Sequence, residues 1–150
     1  MNRTLSSQNL DGFNYEETKR NINNYFVDME KLQWELAKLN AQNELTADFD
    51  YSLEYQRKSY IPVGKDTFNL SEIENKEEKL KKKIAGYKWA KSILSEQEQK
   101  YLLEYFINHK YENEIIGLMG FGSTDSREYR RLKRSAIYKF ADVLNLVVNK

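Results

Sequence analysis

Cysteine is absent from this sequence of 150 residues, and histidine and proline occur once each. The absence of cysteine excludes disulfides, thiol catalysis and cysteine-based zinc sites, and it is typical of a reducing cytosol. One proline and 6 glycines give few chain breaks, which favours long helices over many short strands. No apolar run approaches the ~18 residues of a membrane span, and the first residues lack the apolar core of a signal peptide. We expect a cytoplasmic, all-α protein without membrane contact.

Side chains that carry catalysis or bind metals are also sparse. The single histidine, His109, has no companion ligand near it in the sequence, and nothing beside Asp48 and Asp50 completes a metal site. With one histidine, no cysteine and no paired carboxylates on a rigid element, the sequence indicates that the protein is not an enzyme and needs neither metal nor cofactor.

Charge is distributed unevenly along the chain, although the net charge is only +1. Residues 1–75 hold 8 Lys and Arg against 13 Asp and Glu, which gives a charge of −5. Residues 76–150 hold 16 Lys and Arg against 10 Asp and Glu, which gives +6. This asymmetry suggests that a polyanion binds the C-terminal half.

A long amphipathic helix is predicted over residues 14–43, where apolar side chains recur every three or four positions. They are Ile22, Phe26, Met29, Leu32, Leu36 and Leu39. Either later helices or a second copy of the chain must cover this stripe, so a homodimer through the helix stays open. Trp34 is expected to widen the stripe, and Trp89 is also expected in the core. Residues 44–70 contain Pro62 and aromatics without helical spacing, so we interpret them as a linker between an arm over 1–43 and a domain over 71–150.

Helix starts and ends in this domain are predicted from capping residues. Three pairs have the spacing of a capping box, in which each residue's side chain accepts the other's backbone N–H: Ser71 with Glu74, Ser95 with Glu98, and Asp125 with Glu128. A short helix over 111–119 should end at Gly120, in a left-handed conformation. The order of a medium helix, a short helix, a glycine-containing turn and a longer basic helix is that of a helix-turn-helix.

The last helix combines an apolar stripe with a cluster of basic residues. The stripe and its supports on the preceding helix are Tyr129, Leu132, Ala136, Phe140, Ile115 and Met119. Docking through this stripe would turn the basic side chains outward. Arginine can then hydrogen-bond to guanine edges, while lysine and serine bind the DNA backbone. The candidate DNA-binding residues are Ser126, Arg127, Arg130, Arg131, Lys133 and Arg134.

The segments LSEQEQKYLLEYFINHKYENEIIGLMGF and DSREYRRLKRSAIYKFADVL resemble region 4 of bacterial sigma factors. They are more similar still to phage late-gene transcription regulators of the ArpU/RinA type. The resemblance covers residues 95–141 and extends loosely over 71–94. It implies a sigma-like helix-turn-helix bundle that binds double-stranded DNA sequence-specifically at phage promoters, in the nucleoid of a bacterial host. It also makes host RNA polymerase a candidate partner.

The turn before the last helix departs from this family pattern. Three additional residues, Gly122, Ser123 and Thr124, precede Asp125. They either shift the last helix or form an additional phosphate-contacting loop. Two other functions fit the sequence as well. One is a small terminase subunit that assembles into a ring and binds packaging-site DNA. The other is a helical protein-interaction module whose basic helix meets an acidic protein.

Overall fold

The computed structural model describes residues 12–52 and 63–150, and the surroundings of side chains over 12–42 and 70–150. Five α-helices and no strand occur in these residues: α1 (Tyr15–Ser52), α2 (Val63–Ser92), α3 (Glu96–Leu102), α4 (Glu112–Met119) and α5 (Arg127–Val143). A π-helical turn, Leu103–Ile107, continues α3. The predictions of an all-α chain and of a long N-terminal helix are confirmed. Within the described part of the chain, no helix has both the length and the apolar character needed to cross a membrane.

These elements form two compact units, the first from residues 12–27 and 85–150 and the second from the described residues of 28–84. In the second unit Glu35 pairs with Lys76, and Asp28 pairs with Lys83. The later residue of α1 thus pairs with the earlier residue of α2, so the two helices run antiparallel. The Lys76 ammonium lies 2.5 Å from the Glu35 carboxylate. Its hydrogen bond lowers the pKa of Glu35, and the same bond raises the pKa of Lys76.

Aromatic rings fill the core of the first unit. The ring centroid of Phe26, on α1, lies 5.7 Å from that of Phe140 on α5 and 5.8 Å from that of Phe106 at the end of α3. Tyr87 of α2 lies 5.7 Å from Phe26. Ile22, one turn before Phe26, is fully buried. Burying each such side chain contributes about 1.5–3 kcal/mol, so α1 is covered here by helices of its own chain.

The two ends of the first unit pair with each other. Phe13 forms an isolated antiparallel bridge with Asn149, and the N–H of Asn14 donates to the carbonyl of Val148 at 2.7 Å. The hydroxyl of Thr18, fully buried in α1, accepts the N–H of Val148 at 3.0 Å. The segment after α5 therefore returns along the start of α1.

Both long helices extend beyond their predicted ends. α1 continues to Ser52, because residues 44–52 contain neither proline nor glycine to break it. α2 begins at Val63, so Ser71 lies inside the helix and its predicted role as N-cap is wrong. The predicted linker is consequently helical over 44–52 and 63–70. Its central part, residues 53–62, lies outside the described residues.

The two tryptophans are not core residues. Trp34 is 66% exposed and Trp89 is 64% exposed. Two residues turn a helix by about 200°, so Trp34 lies on the opposite side of α1 from the buried Leu36. The prediction that Trp34 widens the apolar stripe is therefore wrong.

Gly120 and Gly117 form a matched pair for a stability test at the end of α4. Gly120 has φ of 79° and its N–H donates to the carbonyl of Ile116. We expect Gly120→Ala to lower the free energy of unfolding by about 1–2 kcal/mol, because a Cβ disfavours the left-handed conformation. Gly117 lies inside α4, where an added Cβ meets no atom within 4 Å. Gly117→Ala should raise stability by up to about 1 kcal/mol. Urea unfolding measures both, and changes of the same sign would contradict the structure.

Candidate nucleic-acid interface

The N-cap of α5 is Ser126, and the predicted N-cap Asp125 lies one residue before it. The Ser126 hydroxyl accepts the N–H of Tyr129 at 3.1 Å, and Arg127 is the first helical residue. The third helical position is therefore Tyr129, so Glu128 cannot complete a capping box. Its carboxylate is exposed and has no hydrogen-bond or ion-pair partner among the described residues.

The extended turn before α5 is folded by its own hydrogen bonds. The Ser123 hydroxyl accepts the N–H of Asp125 at 3.1 Å, and the Ser123 carbonyl accepts the N–H of Ser126 at 3.2 Å. The turn is anchored where Phe121 packs on Tyr129, with ring centroids 5.4 Å apart. This local turn explains why the helix begins one residue later than the capping pattern predicts.

α5 docks through the stripe that the sequence predicts. Tyr129, Ala136 and Phe140 are fully buried, and Ile115 on α4 is buried too. Leu132 and Met119 are half-buried. The opposite side of α5 is thereby exposed along its first two turns.

A buried carboxylate joins α3 to α5. Glu98 is 3% exposed and completes the predicted capping box with Ser95, whose N–H donates to Glu98 Oε1 at 2.9 Å. The same carboxylate accepts the Ser135 hydroxyl at 2.6 Å and the Lys139 ammonium at 3.2 Å, both from α5. Burial by itself raises the pKa of Glu98. The hydrogen bonds from Ser135 and Ser95 and the charge of Lys139 outweigh burial and hold the pKa below the ordinary value.

A second carboxylate joins α4 to α5. Glu112 Oε1 accepts the Tyr129 hydroxyl at 3.2 Å and the Lys133 ammonium at 3.0 Å. That ammonium also lies 5.3 Å from the centroid of the Tyr129 ring. Burial raises the pKa of Tyr129, and the negative charge of Glu112 raises it further. Lys133 is thus held within the chain, with 17% of its side chain exposed.

Arg134 is held against the start of the first unit. Its guanidinium carbon lies 5.1 Å from the ring centroid of Tyr15 and 5.7 Å from that of Phe13. The Phe13 ring also meets Tyr138 on the same side of α5, at 5.2 Å. The half-buried Arg134 therefore connects α5 to the N-terminal segment.

The other three basic members of the predicted site project from α5. Arg127, Arg130 and Arg131 are exposed. None of them has a hydrogen-bond or ion-pair partner in the described part of the chain. The first two turns of α5 therefore present three guanidinium groups that form no ion pair with a described residue. Such a helix can hydrogen-bond to base edges and phosphates in the major groove of DNA.

Sequence reasoning missed the residues that hold Lys133 and Arg134. Glu112 lies 21 positions before Lys133, and Phe13 and Tyr15 lie still farther from Arg134 in the sequence. No spacing rule connects residues so far apart. An acid in the first turn of α4 was the only local signal, and its ordinary interpretation is an interaction with the helix dipole.

No protein-family model matches this chain, and no curated protein or solved structure matches it either. The resemblance to sigma region 4 and to phage late-gene regulators therefore stays a prediction. No group of three potential metal ligands occurs among the residues that the structure describes.

The Glu98 carboxylate yields a pH-dependent prediction. We expect Glu98→Gln to lower the free energy of unfolding by about 1–3 kcal/mol at pH 7, because buried hydrogen bonds to a charged acceptor are lost. A carboxylate whose pKa is depressed by folding stabilises the protein above its unfolded pKa, which is about 4.3. That contribution disappears as the pH falls through the folded pKa. The difference between wild type and variant in urea unfolding should therefore be constant above about pH 5 and shrink below it. A difference that is independent of pH would contradict this role.

Proposed function

We propose that this protein is a sequence-specific DNA-binding regulator of phage late-gene transcription, with a sigma region 4-like helix-turn-helix formed by α3, α4 and α5. The observation that carries the proposal is the row of three exposed, unpaired arginines on α5. The helix is docked through its opposite side, so these side chains remain available to a partner. Their charge fits a polyanion, and their forked donors fit guanine and phosphate.

The proposal gives the six candidate residues different roles, according to their exposure and their partners within the chain. In our proposal Arg127, Arg130 and Arg131 make the principal contacts with base edges and adjacent phosphates. Ser126 caps α5 and thereby sets its first turn. Lys133 and Arg134, the two basic residues that are held within the chain, lie beside the three arginines on α5 and add positive charge to the proposed DNA-binding surface. The proposal assigns the protein no catalytic activity.

A single module of this size makes a small DNA interface, so specific binding needs additional contacts. We propose that a second copy of the chain or host RNA polymerase supplies them. The long helix α1 is the candidate surface, because Trp34 on it is 66% exposed and exposed tryptophan is typical of protein interfaces.

The proposal predicts salt-dependent binding to duplex DNA. Fluorescence anisotropy should be measured with a duplex selected from a random-sequence library and with an unselected duplex of equal length. We expect affinity to fall with salt at a slope of about −0.9 per phosphate contacted, and several units in total. Arg131→Ala should cost about 1–3 kcal/mol on the selected duplex. Lys88→Ala removes the same charge from an exposed position on α2 and should cost much less.

Three results would contradict this prediction in different ways. No binding at low salt would reject a DNA-binding function and favour the protein-interaction module. Equal losses in the Arg131 and Lys88 variants would reject α5 as the contact. Ring-sized particles in a measurement of mass in solution would favour the small terminase subunit.

Glu128 gives a second test, because it is an exposed acid among the three arginines. An acid there opposes phosphate binding, but it can accept a hydrogen bond from the amino group of cytosine. We expect Glu128→Gln to strengthen binding to the unselected duplex and to lower the ratio of selected to unselected affinity several-fold. Asp142→Asn makes the same charge change at an exposed position near the C-terminal end of α5. It should alter neither the affinity for the unselected duplex nor the ratio of the two affinities. An unchanged ratio in the Glu128 variant would leave only a helix-dipole role for this residue.

A further inference from the structure

Two adjoining depressions lie on the first unit, and none of the three exposed arginines lines either of them. Their volumes are about 590 and 330 Å³, and both are lined by Asn23 and Tyr105. Together they form one open groove, which we call the Tyr105 groove. One wall is the first part of α1, and the other wall runs from His109 to the start of α4 and includes Thr124.

The backbone beneath the Tyr105 groove has two unusual conformations. Tyr105 belongs to the π-helical turn Leu103–Ile107, and His109 has φ of 54°, in the left-handed region. Both features cost free energy and are frequent at functional sites. The Tyr105 ring is fixed in place by two neighbours. It stacks on Tyr101 with ring centroids 5.6 Å apart, and the Lys19 ammonium lies over it, 4.6 Å from its centroid.

Charges along the wall opposite α1 are compensated within the chain. The Lys110 ammonium lies 2.6 Å from the Glu104 carboxylate. Glu112 is paired with Lys133 at 3.0 Å. On the α1 wall, Arg20 is paired with Glu17 at 2.9 Å, and the charges of Glu16 and Lys19 sum to zero. The groove therefore has little net charge to attract a phosphate, and a ligand that is neutral fits it better.

Hydrogen-bonding groups without a partner lie on both walls. Asn23 on α1 and Asn113 on α4 are exposed, and their amides make no hydrogen bond to any described residue. Each amide offers both donors and an acceptor, which is what a peptide group requires. Tyr111 lines the same groove and is 78% exposed. Grooves lined by aromatic side chains are a recurrent way to bind extended peptide segments.

We infer that the Tyr105 groove binds an extended polypeptide segment of a partner protein. The amides of Asn23 and Asn113 hydrogen-bond to its main chain, and Tyr111 packs against an apolar or proline side chain of the segment. The inference is independent of the proposed DNA contact, since none of these residues belongs to the arginine cluster on α5.

The test is a selection of random 12-residue peptides displayed on phage against the full-length chain. Enriched peptides are then synthesised, and their affinity is measured by fluorescence polarisation. We expect the double variant Asn23→Ala, Asn113→Ala to bind them about 5- to 150-fold more weakly, as expected for two lost hydrogen bonds of about 0.5–1.5 kcal/mol each. Tyr111→Ala should weaken binding as well.

Asn24→Ala is the matched control, because Asn24 is an exposed neighbour on α1 that does not line the groove. It should bind the peptides like the wild type, and thermal unfolding should show equal stability for all variants. The inference is overturned if no peptide is enriched, or if the enriched peptides bind the double variant as tightly as the wild type. It is also overturned if the double variant keeps peptide binding but loses affinity for duplex DNA with a smaller salt slope. That last result would assign the groove to a nucleic-acid backbone.

Discussion

The hydrogen bonds of the Glu98 carboxylate are the constraint on which the arrangement of α3 and α5 depends. One carboxylate oxygen accepts the N–H of Ser95, the N-cap of α3. The two oxygens together accept hydrogen bonds from Ser135 and Lys139 of α5. A buried carboxylate is tolerated only when its lone pairs are occupied, so these partners must all be in place at once. The carboxylate therefore fixes the rotation of α5 about its axis more strictly than apolar packing does, because apolar contacts have no direction.

Fixing that rotation determines which basic residues are available to a partner. The aromatic core around Phe26 and Phe140 holds one side of α5, and Arg127, Arg130 and Arg131 consequently lie on the surface. The remaining basic residues of α5's first half are used within the chain. A cluster that is uniform in the sequence thus becomes two groups with different environments. This distinction is the main support for the proposed division of roles at the DNA.

Some features that depend on neighbours within four residues were predictable. The capping box of Ser95 and Glu98 and the left-handed Gly120 were both confirmed. Local patterns failed where a second local interaction competed, as at Asp125, whose N–H binds the Ser123 hydroxyl and leaves Ser126 as the N-cap. They also failed for the linker, because residues 44–52 contain neither proline nor glycine and continue α1.

The sequence by itself determined that the described part of the chain is helical, where α3 begins and α4 ends, and that positive charge concentrates in the C-terminal half. Each of these follows from composition or from hydrogen bonds between near neighbours. Only the tertiary structure decided that Lys133 is held by Glu112, that Arg134 stacks on Phe13 and Tyr15, and that a groove forms around Tyr105. These contacts join residues that are distant along the chain, and no local preference encodes which distant side chains meet when the core closes.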